Sequence, residues 1–291
     1  MLSVLIPTFN NEKFLPIAIA SALALKNLGE IVIIDDCSTD DTASLVKKLQ
    51  IQSNKIKYYR NNTNLGVGFS FIKAIEISKF PYVLMCNGDD FFIPENIDQL
   101  YNFLIKNKLD LAYGKMAIQK EKKIYKYKHP GYQEEDYVNN RDEFRDLLIY
   151  DMYMPSFGTI IKTDELKEFY NKDYMSNLDK MYGERFKAHD YDLFLNLSKK
   201  KKKIGFLNKF VCVWKPEDNS QSGNNYFQTG IAVKESAFLF ERYFDKNCNL
   251  DLSDLKRIRE RIIGKLNSAS RLNSEQKRKI TEDYPFIFSK C

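Results

Sequence analysis

Three short runs with apolar residues on both faces, SVLIP (Ser3 to Pro7), IVII (Ile31 to Ile34) and YVLMC (Tyr82 to Cys86), are separated by stretches with helical spacing. A run that is apolar on both faces must be covered on both faces, and alternating strands and helices do this with a parallel sheet between two helical layers. The first helix spans Asn11 to Lys26, with Phe14, Leu15, Ala18, Ala22 and Leu25 on one face. After Asp35 and Asp36, Ser38, Thr39 and Asp40 are N-cap candidates for a helix through Leu49. A strand at Ile56 to Tyr59, a polar turn at Asn61 to Gly66 and a helix from Phe69 to Ser78 complete the alternation. The expected class is α/β.

In such sheets ligands bind beyond the carboxyl ends of the strands. Three strands end there in polar clusters: Thr8-Phe9-Asn10, Asp35-Asp36 and Asn87-Gly88-Asp89-Asp90. Adjacent carboxylates repel and resist losing water, so a cation or hydrogen-bond donors must compensate them. Carboxylate oxygens suit hard divalent ions, and a glycine lets backbone approach a ligand closely. Each pair taken alone can equally be a capping or solvated turn. A fourth cluster, His189-Asp190-Tyr191-Asp192, opens a helix over Ala188 to Ser198. There an Asp is either a cap or a carboxylate able to take a proton from a hydroxyl.

The remaining pattern extends the fold and narrows its function. Short polar and aromatic strands fill Gly114 to Gly131, a helix spans Arg141 to Tyr150, and KKIGF and KFVCVW read as a strand pair. Helical patterns cover Thr229 to Phe244, Leu252 to Leu266 and Ser274 to Asp283. The expected division is a catalytic domain over 1–225, with halves 1–115 and 116–225, and a helical extension over 226–291. The five cysteines include no CxxC pair, and two histidines exclude a His-rich metal site, so a reduced protein without structural zinc is expected. Neither GxxxxGK[ST] nor a complete GxGxxG is present. The net charge of +6 is modest and concentrated at Lys199 to Lys203 and after Lys256, which argues against a nucleic-acid partner. No signal peptide or bilayer-length apolar run is recognised, so a soluble or peripheral protein is expected, in the cytoplasm or at the inner face of the membrane. Leu255, Ile258, Ile262, Ile263 and Leu266 form a stripe among Lys and Arg, suited to packing on the domain, to a homodimer, or to a membrane surface.

Taken in order, SVLIPTFNNEKFLPIAIAS, IVIIDDCSTDDT, NNTNLGVG, YVLMCNGDDFFIP and HDYDLFLNL resemble the family 2 glycosyltransferases with the GT-A fold. The resemblance covers about residues 1–222. It implies that Pro7, Thr8, Asn10, Asp35 and Asp36 hold the base and ribose of a nucleotide. The family's DxD motif falls on Asn87-Gly88-Asp89, with an amide in place of the first acid. Asn87 and Gly88 would then face ribose or diphosphate, and Asp89 with neighbouring Asp90 would hold Mn2+ or Mg2+. The family's Glu-Asp pair falls on His189-Asp190, leaving Asp190 as catalytic base, and Lys215 is placed to reach the diphosphate. Phe71-Ile72 stand where many members carry Arg-Asn, and no His follows Trp214-Lys215-Pro216-Glu217 to complete a metal shell. The implied activity is inverting, metal-dependent transfer of a sugar from a UDP-sugar to a hydroxyl of a glycan or lipid-linked acceptor in surface polysaccharide synthesis. Alternatives are a non-catalytic nucleotide- or carbohydrate-binding module and a sugar-nucleotide nucleotidyltransferase, though PTFNNEKF lacks the Gly-rich, basic start usual in the latter.

Overall fold

A computed structural model describes residues 1–121, 123–171, 173–215, 224–245 and 248–288. Pro216, Glu217, the polar segment 219–223 and Cys291 lie outside the described residues. In chain order the elements begin β1 (Leu2–Thr8), α1 (Leu15–Leu23), β2 (Leu28–Asp35), α2 (Thr42–Gln52), β3 (Ile56–Arg60), α3 (Val67–Ile77), β4 (Tyr82–Met85), β5 (Phe91–Phe92) and α4 (Pro94–Asn107). They continue β6 (Leu111–Lys120), β7 (Lys123–Lys126), β8 (Tyr137–Val138), α5 (Glu143–Tyr150), β9 (Ile160–Lys162), α6 (Thr163–Phe169), α7 (Tyr174–Tyr182), α8 (His189–Lys199) and β10 (Ile204–Trp214). The chain closes with α9 (Asn224–Gln228), α10 (Ile231–Tyr243), α11 (Leu252–Ser268), α12 (Ser274–Asp283) and α13 (Pro285–Phe288). No helix among the described residues is long and apolar enough to cross a membrane.

The chain forms two compact units. The first comprises Met1–Arg141, Met154–Leu178 and Lys201–Lys215; the second comprises Asp142–Tyr153, Asp179–Lys200 and Pro216–Cys291. The first unit is built on one mixed sheet with strand order β3-β2-β1-β4-β9-β6-β10-β5. Strands β3, β2, β1 and β4 run parallel, as the doubly apolar runs require, while β9 is antiparallel to both β4 and β6. Every residue of β1 is buried, and Val4, Ile6, Ile31, Ile33 and Leu84 join Leu15, Ala18 and Ile19 of α1 in one core. Truncating one of these, for example Ile33→Ala, should cost about 2–5 kcal/mol through lost burial and the cavity left behind.

Two elements differ from the pattern read along the chain. The pair KKIGF and KFVCVW is a single strand, β10, whose pairing with β6 slips between Phe206 and Phe210 and again before Cys212. Such irregularities let one strand bend without ending. The helix expected over Thr229 to Phe244 is α10, but the short α9 that precedes it was not expected; Gly230, at φ 80°, turns the chain between them, and an added Cβ there would stand 2.5 Å from Leu272 Cδ1.

In the second unit α11 turns Ile258, Ile262 and Leu266 inward, so the middle of its apolar stripe is used within the unit. Arg145 of α5 makes a two-pronged contact with Asp254 of α11, at 2.9 and 2.7 Å. Asp151, just past α5 at φ 72°, pairs with Arg261 at 2.9 Å and with Lys265. Burial alone would raise the Asp151 carboxyl, but the two cations hold it well below the usual carboxylate range.

Candidate active site

In the first unit β1 lies between β2 and β4, which brings all three polar strand ends to one edge. Thr8 pairs with Asp35 in register, and the Asp36 N–H donates to the Thr8 carbonyl at 2.8 Å. Asn10 turns the chain at φ 49°, a left-handed conformation that Asn tolerates. Its N–H donates to Ser38 Oγ at 2.9 Å and its Oδ1 accepts the Thr39 N–H at 2.7 Å, tying the end of β1 to the end of β2. The Glu12 N–H reaches Asp40 Oδ2 at 3.2 Å and strengthens the same junction.

The two acids after β2 are turned inward. Asp35 is sealed from solvent, with Oδ1 accepting the Ser38 N–H at 2.8 Å and Oδ2 accepting Tyr58 Oη at 2.6 Å beside Arg60 Nε at 3.5 Å. Burial, then the bond to Asp35, pushes the Tyr58 hydroxyl above its ordinary value. Asp36 accepts Asn61 Nδ2 and the Leu65 N–H, each at 2.9 Å, and the Gly66 N–H at 2.6 Å. These carboxylates are thus compensated by donors, and they organise the loops around the strand ends. Arg60, whose side chain is 46% exposed, is the group that carries Asp35's position outward. Charge patterning alone could have marked it, since it ends β3 at the same edge.

Gly88 explains the closeness of β1 and the turn after β4. A Cβ there would lie 2.6 Å from Asn11 Nδ2 and 2.9 Å from Thr8 Oγ1. Thr8 itself is buried, and its Oγ1 has no hydrogen-bond partner among the described residues. An unmatched buried hydroxyl costs about 1–3 kcal/mol, so this edge is built to receive a polar group.

In the same turn Asp90 is 1% exposed and its oxygens accept the Lys215 N–H at 3.0 Å and Asn87 Nδ2 at 2.9 Å. Burial, followed by the charge of Asp89, pushes its carboxyl well above the usual range, and the buried thiols of Cys86 and Cys212 are pushed up as well. Asp90 therefore closes the turn onto β10, whereas Asp89 is half-buried. Lys215 places its Nζ 3.5 Å from the ring centre of Phe14, a cation–π contact at the start of α1. Among the described residues no three His, Cys, Asp or Glu side chains are grouped to hold a metal. The donor set fits a divalent ion with Asp89 as the protein carboxylate and substrate oxygens and water filling the other positions.

In the second unit α8 carries HDYD in its first turn. Tyr191 Oη donates to the Leu147 carbonyl at 2.6 Å, and Asp192 is fully buried against Tyr243 Oη with Arg242 Nε at 3.3 Å. His189 is buried, and burial outweighs the nearby Asp190, Asp192 and Asp179 to lower its pKa. Asp190 differs: it is half-buried and accepts the Tyr191 N–H at 2.9 Å. Of the two acids in this turn, Asp192 serves structure and Asp190 keeps an accessible carboxylate.

The profile described as "Glycosyl transferase family 2" matches residues 3–168. This chain is a family 2 glycosyltransferase. Over 245 residues it is 24% identical to an uncharacterized glycosyltransferase of Methanocaldococcus jannaschii, covering 74% of this chain and 84% of that one. It is 27% identical over 245 residues to the poly(ribitol-phosphate) beta-N-acetylglucosaminyltransferase TarP of Staphylococcus aureus, covering 78% and 69%. Two other curated glycosyltransferases are matched over 47% and 39% of their own lengths. The crystal structure of S. aureus TarS 1-349 in complex with UDP-GlcNAc superposes with a TM-score of 0.64 at 18% identity, covering 99% of this chain and 81% of that one. The fold of this glycosyltransferase is therefore GT-A, with additional C-terminal helices.

The family profile ends before Asp190, and neither Arg60 nor the carboxylate that meets the backbone ahead of α8, that of Glu235, belongs to any motif visible in the sequence.

Proposed function

We propose that this glycosyltransferase is an inverting enzyme that transfers a sugar from a UDP-sugar to a hydroxyl of a glycan or lipid-linked acceptor during surface polysaccharide synthesis. The observation that carries the reading is the edge where the unpartnered Thr8 hydroxyl meets Gly88. A donor phosphate or ribose oxygen would satisfy that hydroxyl, and Asn10, Arg60 and the loops fixed by Asp35 and Asp36 would surround the nucleoside. Pro7 precedes Thr8 in the buried strand that sets this position, Asn87 and Gly88 would line the diphosphate, and Lys215 would reach it after leaving the Phe14 ring.

In the reaction Asp190 accepts the proton of the acceptor hydroxyl as its oxygen bonds to the anomeric carbon. The bond from that carbon to the diphosphate oxygen breaks on the opposite face, and UDP leaves with the electron pair. Inversion agrees with the product named for TarP, a beta-linked N-acetylglucosamine, since UDP-GlcNAc carries its sugar in the alpha configuration. A divalent cation, held by Asp89 beside the Asn87 amide, would supply neutralisation of charge on the departing diphosphate.

A thermal-shift series with UDP-Glc, UDP-GlcNAc and UDP, each with Mn2+ or Mg2+, tests the donor class. At one hundred times Kd a ligand stabilises by about 2.7 kcal/mol, so a clear rise in Tm is expected for at least one UDP compound. A flat response to all of them, with a rise for another nucleotide, would contradict the UDP assignment.

A further inference from the structure

Glu235 lies on α10 and is completely buried, yet its carboxylate is not spent on a cation. Oε1 accepts the Lys187 N–H at 2.6 Å; Oε2 accepts the Ala188 N–H at 3.1 Å and Tyr226 Oη at 2.6 Å. Ala188 is the N-cap of α8 and offers no side-chain cap of its own. Helix starts leave N–H groups without intrahelical partners, and here a carboxylate from another helix supplies the acceptor. The helix it caps presents Asp190 in its first turn, and the acid lost at His189 relative to the family's Glu-Asp pair thus has a counterpart arriving from α10.

We propose that Glu235 is a positioning residue for Asp190: its carboxylate fixes the two backbone N–H groups that lead into α8 and so sets where the base stands. This rests on Asp190 being the base. The arrangement makes the tether sensitive to pH. Burial first, and the charge of Asp190 in addition, push the Glu235 carboxyl up to about 7, against the opposing bonds from Tyr226 and Lys187. The groups that face it are Tyr226 on α9, Lys187 and Asp190 around the start of α8, Lys265 on α11, Tyr182 at the end of α7 and Tyr284 after α12. Above about 7 the ionised carboxylate holds both N–H groups with charge-assisted bonds; below it the neutral acid holds them weakly. Activity should therefore fall as pH drops through this value.

The test uses the full chain labelled with 13C at glutamate carboxyls, alongside UDP release from UDP-Glc and UDP-GlcNAc hydrolysis. One Glu resonance should titrate near 7 in the wild type, vanish in Glu235→Gln, move to lower pH in Asp190→Asn, and move to higher pH in Tyr226→Phe. In Glu235→Gln the limb of kcat near this pH should flatten and kcat fall about tenfold, with KM for the UDP-sugar within about twofold, because a displaced base impairs chemistry more than donor binding. Should Glu235→Gln fail to fold, Tyr226→Phe decides, since the kinetic limb and the resonance must shift upward together. If no Glu titrates near neutrality, or the resonance ignores Asp190→Asn, the proposal is overturned. A wild-type rate in Asp190→Asn overturns both the base assignment and this proposal; an inactive Asp190→Asn with an unaltered Glu235→Gln profile overturns this proposal alone.

Discussion

Replacing Asp151 by Asn would remove one negative charge from a cluster that holds two cations, and little else. The residue sits at φ 72° and ψ −172°, a strained extended conformation that Asp already occupies, and Asn has the same size and branching at Cβ, so the substitution should add no new backbone strain. Arg261 and Lys265 would then face each other without their shared counter-ion. Breaking a buried ion pair from one side costs about 3–5 kcal/mol. The side chains here keep 17%, 18% and 23% of their surface exposed for Arg261, Lys265 and Asp151, so partial hydration reduces the loss. We expect about 2–3 kcal/mol, equivalent to a fall in Tm of about 3–5 °C for a chain of this size. The sign of the pH dependence follows from the depressed Asp151 carboxyl. Its contribution is complete above the unfolded carboxylate value of about 3.9 and is lost as pH falls toward the folded one. Calorimetry should find the gap between wild type and Asp151→Asn constant from pH 6 to 7.5 and narrowing only below about 4. Lys265→Met in the variant background should recover part of the loss by removing the repulsion between the cations. A Tm within 1 °C of wild type at neutral pH, or a gap that is unchanged in acid, would refute the reasoning.

Two further outcomes follow from the strand ends. Asp36→Ala would leave Asn61 Nδ2 and the Leu65 and Gly66 N–H groups without their acceptor, so hydrogen exchange at those two amides should accelerate at least tenfold relative to the amides of β1. Asp89→Ala should abolish the contribution of Mn2+ or Mg2+ to UDP binding while leaving thermal stability within about 0.5 kcal/mol of wild type, because Asp89 is half-buried and Asp90 closes the turn; titration calorimetry with and without metal measures both arms.

The parallel strands were legible because their signal is local. Ile31 to Ile34 are apolar on both faces whatever surrounds them, and Tyr82 to Met85 read the same way. Strands β5 and β9, of two and three residues, carry too few side chains for any period. The division of β10 into two expected strands has a comparable cause. Its middle is polar because the Asn208 side-chain amide donates to the Glu134 carbonyl and Lys209 Nζ to Gln99 Oε1, and polar residues inside a run look like a turn. At the site, the acids were visible but not their orientation. Asp35, Asp36, Asp90 and Asp192 look like Asp89 and Asp190 in the sequence, yet the first four are buried on N–H, hydroxyl or amide donors. Which acid turns inward depends on donors from other segments, such as Gly66 or Lys215. Glu235 left no mark at all, since the two backbone N–H groups it holds lie 47 and 48 positions away.

The most direct measurement is the rate of UDP release from a UDP-sugar by wild type and Asp190→Asn at equal thermal stability. Asn keeps the size of the side chain and its contact with the Tyr191 N–H but cannot take a proton. Loss of a general base slows chemistry by about 10²-fold or more, and the variant should show that loss with donor affinity unchanged. Turnover by the variant at the wild-type rate would contradict the account.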